Sequence, residues 1–219
     1  VNGYLSTHNP SSVKFMPMKR VAFALVPFAL LSLVAASGKK GSEIPPEVEK
    51  KVVDIGHKAT VTLLKKLLGE VTTSLEEKGP EATIGYCSER AYPLTDSISE
   101  AFGVKIKRTT FKYRNPKNKP DKYEEEALKY FAKFFKEGKK PPKYYVQRVK
   151  MGDRIVYRYY FPLKVLKLCL NCHGVPGKDI KPEVYKAIKD KYPEDRAINY
   201  KEGDFRGVVR VEIPADKVR

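Results

Sequence analysis

The sequence predicts an α+β domain, with long helices near the N-terminus followed by an antiparallel sheet that a helix crosses within. Three observations carry this expectation. Apolar residues recur at three- and four-residue steps from Val53 to Leu75. Apolar and basic residues alternate from Tyr144 to Phe161 and again from Phe205 to Ile213. Glycine and proline separate these stretches from one another.

Pro45-Pro46 opens the first helix, and Pro46 suits its first turn. Val53, His57, Val61, Leu64, Leu68, Val71 and Leu75 form one stripe, widened by Val52, Ile55, Ala59, Leu63 and Leu67. Lys78-Gly79-Pro80 ends that helix. A second helical segment runs from Glu81 to Phe102, is interrupted near Pro93 and closes at Gly103. Val104 to Tyr113 reads as a strand that stops at Asn115-Pro116. Asp121 and Glu124 have capping-box spacing for a helix through Phe135, with Leu128, Phe131 and Phe135 facing inward. The lysines around Pro141-Pro142 make an exposed loop. Tyr144 to Lys150 and Arg154 to Phe161 flank Met151-Gly152-Asp153 as a hairpin. A short helix spans Pro182 to Lys191, and the last strand, Phe205 to Ile213, ends at Pro214.

Residues 1–37 read as a leader with a signal peptide, and residues 38–219 as the mature domain. Lys19-Arg20 is a positive n-region, Val21 to Val34 an apolar h-region, and Ala35-Ala36-Ser37-Gly38 offers small residues for cleavage. Met16 or Met18 is a natural start, which leaves Val1 to Phe15 outside the fold. The apolar run is short for a membrane span and carries Pro27, so cleavage is favoured over an uncleaved anchor. No cysteine stands at the cleavage point, which excludes a lipoprotein anchor. The expectation is a periplasmic or otherwise exported protein, soluble after cleavage. Membrane contact is then only peripheral or through an uncleaved N-terminus.

The formal charge is +17; the leader carries Lys14, Lys19 and Arg20 and no acids, so subtracting these three leaves +14 on the mature domain. Such a surface attracts nucleic acid, anionic lipid or an acidic protein. Export argues against nucleic acid. Tyr157-Arg158-Tyr159-Tyr160 imitates a base-stacking platform, but a half-buried strand is the commoner origin of such a run.

Cys169-Leu170-Asn171-Cys172-His173 is a C-x-x-C-H run, the attachment site of c-type haem. Two thiols must reach the two vinyl groups of one porphyrin, and the following histidine must rise beneath the ring to ligate iron. A structural zinc site needs four ligands, and outside the run only Cys87, His8 and His57 are soft or imidazole donors. A dithiol of thioredoxin type does not call for the trailing histidine. One motif means one covalent haem.

Cys87 is then left over, which is unusual in an exported protein. It is either a small buried hydrophobe or the sixth ligand opposite His173. His57, on the apolar stripe, competes with it on equal terms, Met151 in its turn is a poor prospect, and the position can also stay open. A thiolate there favours ferric iron and lowers the potential. Arg90, three residues on, is placed to lower the thiol pKa.

Beyond the haem run, several segments resemble the c-type-haem PAS-like domain family. They are Ala82 to Cys87, Lys107-Arg108-Thr109-Thr110, and the run from Arg114-Asn115-Pro116 through Pro120-Asp121 to Glu124. Cys169 to Gly174, Tyr192-Pro193-Glu194-Asp195-Arg196-Ala197 and Gly203-Asp204-Phe205-Arg206-Gly207 complete the resemblance, which covers nearly the whole mature chain. It implies a PAS-like antiparallel sheet with haem c on one face, His173 as proximal ligand and Cys87 as distal ligand. It also implies a sensory or redox role. Arg108 and Arg114 are candidates to pair with haem propionates, which need cationic or amide donors; a plain ion pair is the competing role. Asp195 and Asp204 fit loop staples better than an acid or base.

The expected function is redox or small-ligand sensing, with a small gas as one candidate ligand. The competing expectation is a soluble electron carrier that docks an acidic redox or signalling partner through its basic surface. The chain ends at Arg219 soon after the last strand, without an output domain, so a sensor of this kind needs a separate partner. An enzyme needs an open distal side with an acid–base group there, so no enzymatic activity is expected if Cys87 fills that side.

Overall fold

The computed structural model describes residues 43–219. The expected signal segment and its cleavage point lie outside the described residues. The elements follow in the order α1 (Pro46–Phe102), β1 (Lys105–Thr109), α2 (Lys122–Lys136), β2 (Tyr145–Met151), β3 (Arg154–Lys164), α3 (Leu170–His173), α4 (Pro182–Lys191) and β4 (Phe205–Pro214). The four strands form one antiparallel sheet in the order β1-β4-β3-β2. This α+β arrangement is compatible with a PAS-like fold. No helix among the described residues is long and apolar enough to cross a membrane.

The two helices expected at the N-terminal end are one element with a bend. Gly79 takes φ 76° and ψ 171°, a backbone that favours glycine, and Pro80 follows it, so α1 has two arms. The joint is stapled by Thr83, whose Oγ1 donates to the Gly79 carbonyl at 2.8 Å and lies 3.0 Å from Ser74 Oγ. At Pro93 the helix runs on without the expected interruption. The proline leaves the carbonyl of Glu89 without its helical donor, and Glu89 is exposed, so water can satisfy that oxygen. Gly103, at φ 60°, caps the helix in the left-handed conformation.

The first arm packs on the sheet through Val52, Gly56, Ala59, Thr60 and Leu63, all buried, while His57 and Val61 are exposed. The buried face is thus centred on Val52, Ala59 and Leu63, which widen the expected stripe, with Val53 and Leu64 at its margin and His57 and Val61 outside it. Glycine is the cause: a Cβ at position 56 would land on the Tyr159 ring. Small residues make the closest approach and decide which face is inside. Below Leu64 the same arm leaves the sheet, and Leu67, Leu68, Val71 and Leu75 turn to a cavity instead.

Alternation gives the sheet two unlike faces. Ile106, Tyr157, Tyr159, Val209, Val211 and Ile213 pack under α1. Tyr160 and Val208 pack under Ala127, Leu128 and Phe131 of α2. The expected capping box is present: Asp121 accepts from the Tyr123 and Glu124 amides, and Glu124 accepts from the Asp121 amide. The same two carboxylates bind the sheet. Arg158 pairs with Asp121 at 2.8 Å and Glu212 at 2.9 Å, while Glu124, fully buried, takes Lys107 at 2.7 Å and Arg210 at 3.1 Å. Arg158 therefore stays charged although burial alone disfavours the charge. Tyr157 to Tyr160 are all buried, so this run offers no stacking platform to a base.

The β2–β3 turn forms at Gly152-Asp153, with Gly152 at φ 62°. The expected first strand is shorter than Val104 to Tyr113, because after Thr109 the chain leaves the sheet for a 3-10 turn at Pro116–Asn118.

Gly56→Ala should destabilise the protein by about 1–3 kcal/mol through overpacking against Tyr159. Gly69→Ala, on an exposed turn of the same arm with open space around it, should gain up to about 1 kcal/mol. Thermal unfolding of the two variants should therefore shift the midpoint in opposite directions.

Candidate cofactor site

His173 closes α3, four residues long, which follows a 3-10 turn over Lys167–Cys169. The Gly174 amide donates to the Leu170 carbonyl at 2.9 Å, and a side chain at 174 would strike Asp179. The loop is therefore tight enough to keep both thiols and the imidazole together. His173 Nδ1 lies 2.7 Å from the carbonyl oxygen of Ala197. Donation there holds the proton on Nδ1 and leaves the Nε2 lone pair free to ligate a metal. Burial, with Arg206 and Arg114 nearby, keeps the imidazole pKa well below its ordinary value, so the ring is neutral. The segment after Ala197 returns to the loop, with the Asn199 amide on the Gly174 carbonyl at 2.8 Å and the Tyr200 amide on the His173 carbonyl at 3.0 Å.

Arg114 holds this arrangement in place. Its Nε donates to Asp195 Oδ1 at 3.1 Å, and its Nη2 donates to Asp195 Oδ2 at 3.2 Å and to the Cys172 carbonyl at 2.5 Å. Asp195 Oδ1 also accepts from the Ala197 amide at 2.9 Å. Asp195 is thus a loop staple, as is Asp204, which accepts from the Lys201 amide at 2.7 Å. Arg114 is a structural ion pair at the edge of the cavity.

Cys87, Cys169, Cys172 and His173 line one cavity. Its apolar wall comes from both arms of α1: Leu67, Leu68, Val71 and Leu75 before the bend, and Thr83, Ile84 and Ala91 after it. Ile84 also packs on Ile180, Val184 and Ile188, which seats α4 against the second arm. Among the described residues, no three or more His, Cys, Asp or Glu side chains gather closely enough to hold a bare metal ion. Cys87 faces the shared cavity from α1, and Cys169, Cys172 and His173 face it from their loop. That donor set suits a flat cofactor with apolar faces better than zinc.

Burial pushes the Cys87 thiol pKa up, and Arg108 and Arg114 pull it back. Arg90, expected from sequence to do this, is exposed and plays no part. One helical turn separates Arg90 from Cys87 in sequence, but its side chain points to solvent. His57 is exposed and lines no part of the cavity wall. Met151 borders a separate cleft where β1 begins and β4 ends, away from the Arg108 and Arg206 end of the sheet.

Arg108 and Arg206 also line the cavity, and neither has a carboxylate partner among the described residues. Arg206 donates to the Lys112 carbonyl at 3.3 Å and lies 5.2 Å from the Tyr200 ring centroid. Sequence reasoning assigned Arg206 no role of its own, and strict alternation along β4 would put it beside Val208 on the α2 face. A bulge intervenes. Leu163 pairs with Gly207 and Lys164 with Phe205, so Arg206 is the unpaired extra residue. Gly207, at φ 141°, permits it, and a Cβ there would meet the Thr109 carbonyl oxygen. A glycine inside a strand pattern was the available signal.

The Tll0287-like family model, described as Tll0287, matches residues 34–214. Among solved structures, the chain is similar to a cyanobacterial haem protein, Tll0287, known from a crystal structure. The identity is 27%, covering 78% of this chain and 97% of that one, with a TM-score of 0.56. No curated protein matches the chain.

Asp195→Ala should cost about 3–5 kcal/mol in urea unfolding, because Arg114 is left as an unpaired charge that is only 12% exposed. Asp195→Asn, which keeps an acceptor for the Ala197 amide, should lose less. Equal losses would assign the whole effect to the missing charge and none to the Ala197 amide acceptor.

Proposed function

Because the chain belongs to the Tll0287-like family, we propose that it is an exported protein with one covalent haem c, ligated by His173 and Cys87, whose task is redox or small-ligand sensing. One observation carries this reading: Cys87, Cys169, Cys172 and His173 line a single cavity, with His173 Nδ1 already engaged by a backbone carbonyl. The related solved structure is that of a haem protein.

The residues present fit such a group. Haem bound here would supply a one-electron iron couple and, where a ligand position opens, a site for a small gas. Cys169 and Cys172 would hold it through thioethers. His173 Nε2 would ligate from the loop side and Cys87 Sγ from the α1 side. Leu67, Leu68, Val71 and Leu75 would keep water from its apolar edge. Of the arginines lining the cavity, Arg108 and Arg206 have no carboxylate partner among the described residues, so they, with Arg108 as expected and Arg206 in place of Arg114, would receive the propionates. The antiparallel sheet with helices on both faces supports the PAS-like assignment.

Sensing is supported by the position of Cys87. It lies on the second arm of α1, between the Gly79 bend and the residues Leu94, Ile98 and Phe102 that return this arm to the core on which the first arm packs. A change of ligation at Cys87 therefore acts on an arm with its own joint. If Cys87 filled the position opposite His173, that position would be closed to the acid–base chemistry of a haem enzyme. The alternative, an electron carrier for an acidic partner, is supported by the exposed Lys164, Lys167 and Lys178 around the haem loop.

Protein made in an exporting host with haem-maturation machinery should keep its Soret band after denaturation; loss of the band would overturn covalent attachment. Cys87→Ala should convert a six-coordinate ferric spectrum to a five-coordinate or water-ligated one, and His57→Ala should leave it unchanged. Carbon monoxide binding to the reduced wild type favours sensing. An inert six-coordinate reduced form favours the carrier.

A further inference from the structure

We propose that this protein binds a small oxyanion, a phosphate or a short carboxylate, in a cleft on the far side of Arg108 from the candidate cofactor cavity. The cleft measures about 340 Å3 and opens between the second arm of α1 and β1. Five cations line it, Lys105, Lys107, Arg108, Lys117 and Arg210, against one acid, the exposed Asp96. Lys107 and Arg210 share the buried carboxylate of Glu124. Lys105, Arg108 and Lys117 have no carboxylate partner among the described residues.

The geometry gathers these charges. Lys117 Nζ sits 5.3 Å from the Tyr92 ring centroid, and Tyr92 O–H donates to Asn118 Oδ1 at 2.9 Å. That contact holds the ammonium on the same wall as Arg108. Burial lowers the Arg108 pKa, and the ionisable groups that act most strongly against this are Tyr92, Cys87 and Tyr192, none of them a carboxylate. Like charges gathered in excess of their counter-charge repel one another, and a bound oxyanion relieves that repulsion while accepting charge-assisted hydrogen bonds. The hydroxyls of Thr95 and Ser99 are already spent on the Ala91 and Thr95 carbonyls. Selection in the cleft is therefore by negative charge.

Tyr92, Arg108 and Asn118 belong to both the cleft and the cofactor cavity. A guanidinium carries five donors in a planar fork, so Arg108 can face both sides at once. An anion in the cleft then competes for donors that would otherwise serve the cofactor side. This coupling rests on the haem reading above; the binding itself does not.

The test is calorimetric titration of the haem-loaded protein with inorganic phosphate and, separately, with succinate at low ionic strength. We expect saturable 1:1 binding of at least one of them, weakened tenfold or more by Lys117→Glu and by Lys105→Glu. Lys139→Glu, the same charge change on the loop after α2, should leave it unaltered. Phosphate alone binding points to a phosphorylated or inorganic ligand, and succinate alone to a carboxylate. No saturable binding, or an equal loss in Lys139→Glu, overturns the site. A Soret shift at saturation supports the coupling, and binding without a shift overturns it. Binding by a protein that carries no haem sinks the haem reading alone, whereas a normal Soret band without binding sinks this proposal alone.

Discussion

The guanidinium of Arg114 is the contact on which the site depends. It comes from the loop after β1, reaches the Cys172 carbonyl and pairs with Asp195, which in turn holds the Ala197 amide. Three segments distant in sequence meet at one cation. The Ala197 carbonyl is what orients His173, so the proton position on the imidazole is settled by an ion pair one step removed. A buried pair of this kind costs desolvation that a surface pair does not, and contributes geometry in return.

The same economy appears at the sheet. Asp121 and Glu124 cap α2 and also take up Arg158, Lys107 and Arg210, so one pair of carboxylates starts a helix and docks it. The helix cannot shift along the sheet without stripping Lys107 of its carboxylate and leaving Arg158 and Arg210 to share Glu212. The loop from Thr110 to Asp121 thus carries Arg114 in its middle and the helix cap at its end, and links the cofactor side to the body of the fold.

What was legible in the sequence was local chemistry. The C-x-x-C-H run needs only its own five residues to be read, and the Asp121 and Glu124 spacing, the Gly152 turn and α4 are equally self-contained. What was hidden depended on tertiary approach. The face that α1 buries is decided by Gly56 meeting Tyr159, so His57 and Val61, in the middle of the expected stripe, are exposed. Proximity in sequence favoured Arg90 as the neighbour of Cys87, whereas Arg108 and Arg114 arrive from β1 and the loop beyond it. Arg206 was concealed by a bulge that alternation cannot express. The assignment of Cys87 over His57 came from family resemblance, and the spacing of the residues left the two even.

The unlike faces of the sheet have a consequence for how its strands find one another. Sliding β4 by one residue against β3 would drive Arg210 and Glu212 under α1 and lift Val209, Val211 and Ile213 onto the ionic side. Few of those groups would find partners after such a slip, so mispaired sheets are penalised at every step along the strand. The charges beneath α2 therefore act as a proofreading device for strand pairing, whatever their net worth to stability.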